Sequence, residues 1–248
     1  MTRALLLAAG LGTRLRPLTN TVPKCMVTIN GRPLLDYWLE LLSRGGIGEV
    51  LVNLHYLPDP VREFLAANMH PLMISTVMEE QLLGTAGTLL RNRSFFRDAP
   101  VMLVHADNLS LFDVRAFVSC FERRSPDIAI TMMTFYTDQP STCGIVELDA
   151  DGVVQAFHEK VENPPGNLAN GAVYILAPEV IDYVASLGKE VIDFSTEVLP
   201  HYMGRINTFL NSTYHRDIGN LASLVLAQAE YPQVAARHAQ GRADAANP

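Results

Sequence analysis

Residues 5–24 read LLLAAGLGTRLRPLTNTVPK: an apolar strand runs into a glycine-containing loop, followed by two arginines and a proline–lysine pair. Gly10 and Gly12 let such a loop turn its backbone N–H groups toward one point, because glycine accepts the required angles and offers no side chain to block approach. Arg14, Arg16 and Lys24 add positive charge to that concavity, so a ligand rich in phosphate oxygens fits it. Two other phosphate loops do not match. The dinucleotide fingerprint G-x-G-x-x-G needs a third small residue where this chain has Leu15, and the Walker loop ends in G-K-[ST] where this chain has Gly12-Thr13-Arg14. A G-x-G alone reads as an ordinary βα turn. The two arginines, Lys24, Pro17 and Pro23 that follow turn the reading toward a ligand site.

Working outward, apolar runs of strand length alternate with helical patterns through the first half of the chain. Strands are expected over 3–8, 49–55, 72–78, 101–105 and 128–135, with helices over 33–44, 60–69, 85–93 and 112–124 between them. This alternation predicts an α/β fold: a mostly parallel sheet with helices on both faces, a Rossmann-like three-layer αβα sandwich. The second half adds small antiparallel pieces. Residues 144–148 and 153–158 flank the turn Asp149-Ala150-Asp151-Gly152 as a hairpin. A strand over 169–176, helices over 178–186 and 193–202, strands near 206–210 and 213–216, and a helix over 219–231 complete one domain, 1–231. The tail 232–248 carries little periodicity and is expected to be frayed or disordered.

At 248 residues and 48% hydrophobic, the chain can bury one substantial core. A net charge of −7 argues against a nucleic-acid or anionic-membrane surface, so its cations must be concentrated locally. Cys25, Cys120 and Cys143 are odd in number and widely spaced, which excludes a disulfide framework or C-x-x-C knuckle and suits a reducing cytoplasm. No apolar run reaches the roughly 18 residues of a membrane span. Neither H-E-x-x-H nor G-x-S-x-G occurs, so zinc-dependent and serine-nucleophile hydrolysis lack their motifs.

The pattern over 7–24 resembles the opening of the sugar-1-phosphate nucleotidylyltransferase family, LAAGxGTRLxPLTxxxPK. The likeness continues through Ile29-Asn30-Gly31-Arg32-Pro33-Leu34, Gly84-Thr85-Ala86-Gly87, Phe157-His158-Glu159-Lys160 and Arg216-Asp217-Ile218-Gly219, in the right order along nearly the whole chain. The resemblance is nearest to mannose-1-phosphate and heptose-1-phosphate guanylyltransferases. It implies direct in-line displacement on an α-phosphorus, with pyrophosphate leaving and Mg²⁺ as cofactor. The partners it implies are a nucleoside triphosphate and a sugar 1-phosphate, in a monomer or homodimer.

The resemblance also distributes roles. Arg14 clamps phosphate oxygens with its planar fork and Lys24 neutralises charge near the α-phosphate. Leu7, Ala9, Gly10, Gly12 and Thr13 meet the nucleotide, as do Glu79, Gly84, Gly87 and Asp107. Asp107 follows an apolar strand, at the carboxyl end where open α/β sheets bind ligands, although Ala106 stands where the family has glycine. Asp107 and Asp217 are the implied metal carboxylates. Gly144, Glu159, Lys160 and Asn170 line the implied sugar pocket, with Val161 in place of a frequent proline; the alternative reading of Asn170-Gly171 is a β-bulge. The carboxylate of Glu79 complements the N1–H and N2–H₂ edge of guanine, which favours GTP with a mannose- or heptose-type phosphate. UTP, dTTP or CTP with another sugar phosphate or phosphocholine, and a catalytically silent nucleotide-sugar sensor, are the rival readings.

Overall fold

The computed structural model describes the backbone of residues 1–246 and the side chains of residues 1–240. In chain order the elements are β1 (Arg3–Leu7), β2 (Thr28–Ile29), β3 (Arg32–Pro33), α1 (Leu34–Arg44), β4 (Glu49–Leu54), α2 (Pro58–Ala66) and β5 (Met73–Met78). There follow α3 (Gly84–Arg91), α4 (Arg93–Phe96), β6 (Val101–His105), β7 (Asn108–Leu111), α5 (Val114–Glu122) and β8 (Ile130–Tyr136). The second half holds β9 (Gly144–Leu148), β10 (Val154–Glu159), β11 (Leu168–Leu176), α6 (Pro178–Ser186), β12 (Ile206–Leu210), β13 (Tyr214–Asp217) and α7 (Leu221–Ala246). No described helix is long and apolar enough to cross a membrane.

Nine described strands form one sheet, in the order β10-β9-β11-β6-β1-β4-β5, with β8 beside β11 and β12 beside β8. The parallel heart is β5-β4-β1-β6. Alternation along these strands sends side chains to opposite faces. Ala4, Leu6, Val50 and Val52 pack with Leu35, Trp38 and Leu42 of α1 and Phe117 of α5 on one side. Leu5, Leu51 and Leu103 pack with Leu89 of α3 and Val180 and Val184 of α6 on the other. That gives the three layers expected from the sequence.

Two expectations are corrected. The helix–strand alternation implied that β8 would continue the parallel series. Instead β11 lies between β6 and β8, antiparallel to both. Val173, Tyr174, Ile175 and Leu176 are all fully buried, and a strand apolar on both faces can occupy a central slot in either direction, so composition leaves its polarity open. The second concerns the tail. α7 does not end at Tyr231 but runs past Pro232 to Ala246, and residues 247–248 lie outside the described ones. Pro232 removes one helical hydrogen bond. Packing compensates for it: Tyr231 meets Tyr37 and Tyr214 edge-on, with ring centroids 4.9 and 5.5 Å apart. The Gln228 amide donates to the Thr28 carbonyl and accepts from the Asn30 N–H, tying the helix to the β2–β3 turn.

Asp36 of α1 accepts hydrogen bonds from Arg32 and His70. Burial opposes its ionisation, but His70 and Arg32 outweigh that and hold the carboxyl below its usual range. A lowered folded-state pKa adds stability that is present above the ordinary carboxylate value and is lost as pH falls through the folded one. Asp36→Asn is therefore expected to cost about 1 kcal/mol at pH 7. The difference from the parent should shrink toward zero below a pH of about 3.9. Thermal melts of both proteins across pH 7 to 3 measure this.

Candidate active site

β1, β4 and β5 end together beneath a cavity of about 190 Å³, at the carboxyl edge of the parallel strands. Leu7, Ala9, Gly10, Glu79 and Gly84 line it. A buried network joins the β1 end to Glu79. The Ala8 N–H donates to Asn53 Oδ1 (2.7 Å), and Asn53 Nδ2 donates to Glu79 Oε1 (3.1 Å). The Thr88 hydroxyl donates to the same oxygen at 2.6 Å. Glu79 is 5% exposed, and its second oxygen, Oε2, is buried without any hydrogen-bond partner. An orphaned carboxylate oxygen in a closed wall is costly until a donor meets it.

Gly12, Thr13 and Gly87, also expected at the nucleotide, do not line this cavity. Gly12 sits at φ +63°, its carbonyl accepting from the Thr19 hydroxyl at 2.6 Å. It shapes the turn into the single helical turn Thr13–Leu15, which carries Arg14 away from the first cavity. Gly87 is inside α3, where its N–H and that of Ala86 donate to the Ile192 carbonyl. A Cβ on Gly87 would stand 2.2 Å from the Glu190 carbonyl oxygen, so close packing of the 188–193 segment demands glycine there. Gly87→Ala is expected to destabilise the fold by about 1–3 kcal/mol, read as a lower denaturant midpoint at unchanged slope.

A second cavity, about 410 Å³, opens beside the first and gathers Arg14, Gly144, Glu159, Lys160, Asn170 and Asp217. These residues come from five separate segments. Gly144 has no room for a Cβ, which would meet the Phe157 ring at 2.5 Å and Glu159 Oε2 at 2.8 Å. Lys160 (φ +50°) reaches back to Glu159 at 2.9 Å. The Asn170 amide is engaged within β11 itself. Its Oδ1 accepts from the Ala172 N–H and its Nδ2 donates to the Tyr174 hydroxyl, stabilising a register shift in β11. The bulge therefore exists, and it presents Gly171 and Ala172 to the cavity alongside Asn170.

The two cavities meet at Asp107, just beyond β6. Lys24, with 8% of its side chain exposed, places Nζ 2.5 Å from Asp107 Oδ2 and 3.7 Å from Asp217 Oδ1. Arg14 lies 3.9 Å from the other Asp217 oxygen. Burial works against ionised Asp107, but Lys24 overrides it and keeps that carboxyl below the usual range. Asp217 is pushed the other way, by burial and by the charge of Asp107, against the pull of Lys24 and Arg14. His215, bonded through Nδ1 to the Ser110 hydroxyl at 2.6 Å, is driven down to about 3 by burial. The carboxylate oxygens of Asp107 and Asp217, which Lys24 bridges, are hard donors of the kind that Mg²⁺ takes together with phosphate oxygens and waters. Among the described residues no three His, Cys, Asp or Glu side chains converge on one point, so a cation here needs oxygens from a substrate.

Asn53, Thr88, His105 and His215 were missed in the sequence. For Asn53 a signal existed: it is the polar residue inside the otherwise apolar run Val50-Leu51-Val52-Asn53-Leu54, at the carboxyl end of a strand where ligands bind. Thr88 and His215 carry no such mark.

A mostly parallel αβα sheet with two joined cavities at its strand ends defines a protein of the open α/β class, whose ligands sit at the carboxyl ends of the strands. The chain belongs to the nucleotidyl transferase family, whose model matches residues 3–234. It is 31% identical over 232 residues to the mannose-1-phosphate guanylyltransferase of Mycobacterium tuberculosis, covering 92% of this chain and 64% of the relative. It is 30% identical over 212 residues to the UTP–glucose-1-phosphate uridylyltransferase of Synechocystis, covering 80% and 54%. The chain thus spans somewhat more than half the length of these relatives. Its fold matches that of HddC from Yersinia pseudotuberculosis complexed with GMP-PN, at a TM-score of 0.77 and 23% identity, covering 93% of this chain and all of that one.

Proposed function

We propose that this chain transfers a nucleotidyl group from a nucleoside triphosphate to a sugar 1-phosphate, releasing pyrophosphate. The observation that carries the reading is the meeting of the two cavities at Asp107, with Lys24 and Asp217 beside it. The nucleotide occupies the first cavity, base toward Glu79, and the sugar phosphate the second. An oxygen of the sugar phosphate forms a bond to the α-phosphorus while the bond to the pyrophosphate oxygen breaks; no protein side chain needs to enter the covalent sequence. Both reactants are polyanions, so positioning and positive charge dominate. Lys24 supplies charge at the junction and Arg14 a phosphate clamp at the edge of the second cavity. Asp107 and Asp217 would hold Mg²⁺, which offsets charge on the phosphates when bound.

The Glu79 carboxylate supports GTP: with Oε2 unpartnered and Oε1 held by Asn53 and Thr88 it offers acceptors only, and guanine presents two adjacent donors, N1–H and N2–H₂, where uracil and thymine present a single N–H flanked by carbonyls. A mannose- or heptose-type 1-phosphate is the proposed acceptor. Measuring pyrophosphate release across a grid of NTPs and sugar 1-phosphates, with phosphocholine included, tests the reading. Turnover highest with GTP is the expected result. Binding of nucleotide sugars by calorimetry without turnover in any pairing would instead establish a silent sensor.

A further inference from the structure

Around the two cavities only His105 and Asp107, among the described residues, face both. Asp107 already has a partner in Lys24. His105, the last residue of β6, makes no hydrogen bond to the protein through either ring nitrogen among the described residues. Asp107, Asp193, Asp217 and Lys24 are close enough to act on it electrostatically. An imidazole in either tautomer offers one N–H and one acceptor, and here both are uncommitted.

Topology says what they would meet. The order β5-β4-β1-β6 sets Glu79, Asn53, Leu7 and His105 in a row across the strand ends, with Leu7 in register with both Asn53 and His105. Three strand spacings span about 14 Å. A nucleotide held by its base at Glu79 runs along that row and brings its α-phosphoryl group to the junction, where the second cavity delivers the attacking oxygen. We propose that His105 is a further catalytic residue, donating one hydrogen bond to a non-bridging oxygen of the α-phosphoryl group under attack. It keeps its proton throughout: the new P–O bond forms from the sugar phosphate, and the electron pair of the broken bond leaves with pyrophosphate. The bond strengthens as charge shifts onto that oxygen in the transition state, so the contribution falls on kcat.

This inference rests on the proposed transfer reaction, and the two fail differently. If the parent protein turns over no NTP–sugar-phosphate pair, the reaction itself is wrong. If it turns over, steady-state kinetics of His105→Leu, His105→Asn and His105→Gln with the best pair decide the role of His105. Leucine keeps most of the volume and removes every hydrogen bond; asparagine and glutamine place an N–H near the positions of Nδ1 and Nε2. The expected result is a loss of about 10- to 100-fold in kcat for His105→Leu with KM values within threefold. At least one amide variant should recover tenfold of that loss at a matched melting temperature. Leucine activity within twofold of the parent overturns the assignment. So does an equal loss in all three variants, which is the signature of a packing role. Should His105→Leu fail to fold, recovery by one amide and not the other still supports a directed hydrogen bond, and the absence of any difference between them at full activity refutes it.

Discussion

Asp107→Asn is expected to lower turnover by about 10²–10³-fold while the protein remains folded. The amide has the shape of the carboxylate and none of its charge, so the change isolates electrostatics. In the parent, Lys24 holds Asp107 ionised despite burial. An ionised oxygen at the junction can bind a hard cation; a neutral amide oxygen binds it far less well. Lys24 still has Asp217 at 3.7 Å, which limits the loss of stability. Pyrophosphate release titrated against Mg²⁺ is the measurement, and near-parent activity at low Mg²⁺ would remove Asp107 from the metal site.

Lys24→Met should produce a second large effect, on two observables at once. Lys24 is nearly buried and stands between two carboxylates. Removing its ammonium leaves Asp107 without its counter-charge and Asp217 with Arg14 alone, at a cost of about 2–4 kcal/mol in the unliganded protein near neutral pH. Turnover should fall by about 10²-fold or more, because the junction then loses the buried positive charge that offsets repulsion between the reacting phosphates. Denaturant titration of Lys24→Met, Asp107→Asn and the double variant separates the two contributions. Strong coupling places Lys24 and Asp107 in one unit. Additive effects would mean that the ammonium acts independently of that carboxylate.

The 410 Å³ cavity shows how far composition carries a reading. Gly144, Glu159, Lys160 and Asn170 were expected to share one pocket, and all four line this cavity. Their likeness to a motif located them; their work inside the fold was a separate matter. Asn170 was readable both as a sugar contact and as a bulge residue, and its amide is mostly engaged in the bulge. Gly87 is a related case. Glycine before or within a helix is compatible with phosphate approach and with close backbone packing alike, and the Glu190 carbonyl at 2.2 Å from its would-be Cβ shows the packing requirement.

By itself the sequence determined the local elements and the loop chemistry. An apolar run of strand length, or a repeat near 3.6, is a property of neighbouring positions, so the strands expected over 3–8, 49–55 and 101–105, observed over 3–7, 49–54 and 101–105, and the helices between them could be read directly. The cation-rich loop, and the exit of Asp107 from a strand end, followed in the same way. Tertiary structure alone decided the rest: that β11 enters antiparallel beside β6, that α7 continues past Pro232, and that Asn53 ties Ala8 to Glu79. It also decided that Lys24 Nζ lies 2.5 and 3.7 Å from carboxylate oxygens of two aspartates, 83 and 193 residues away in sequence. Such convergence depends on which surfaces pack together and on which polar groups then lose water, and neither quantity is carried by a local pattern.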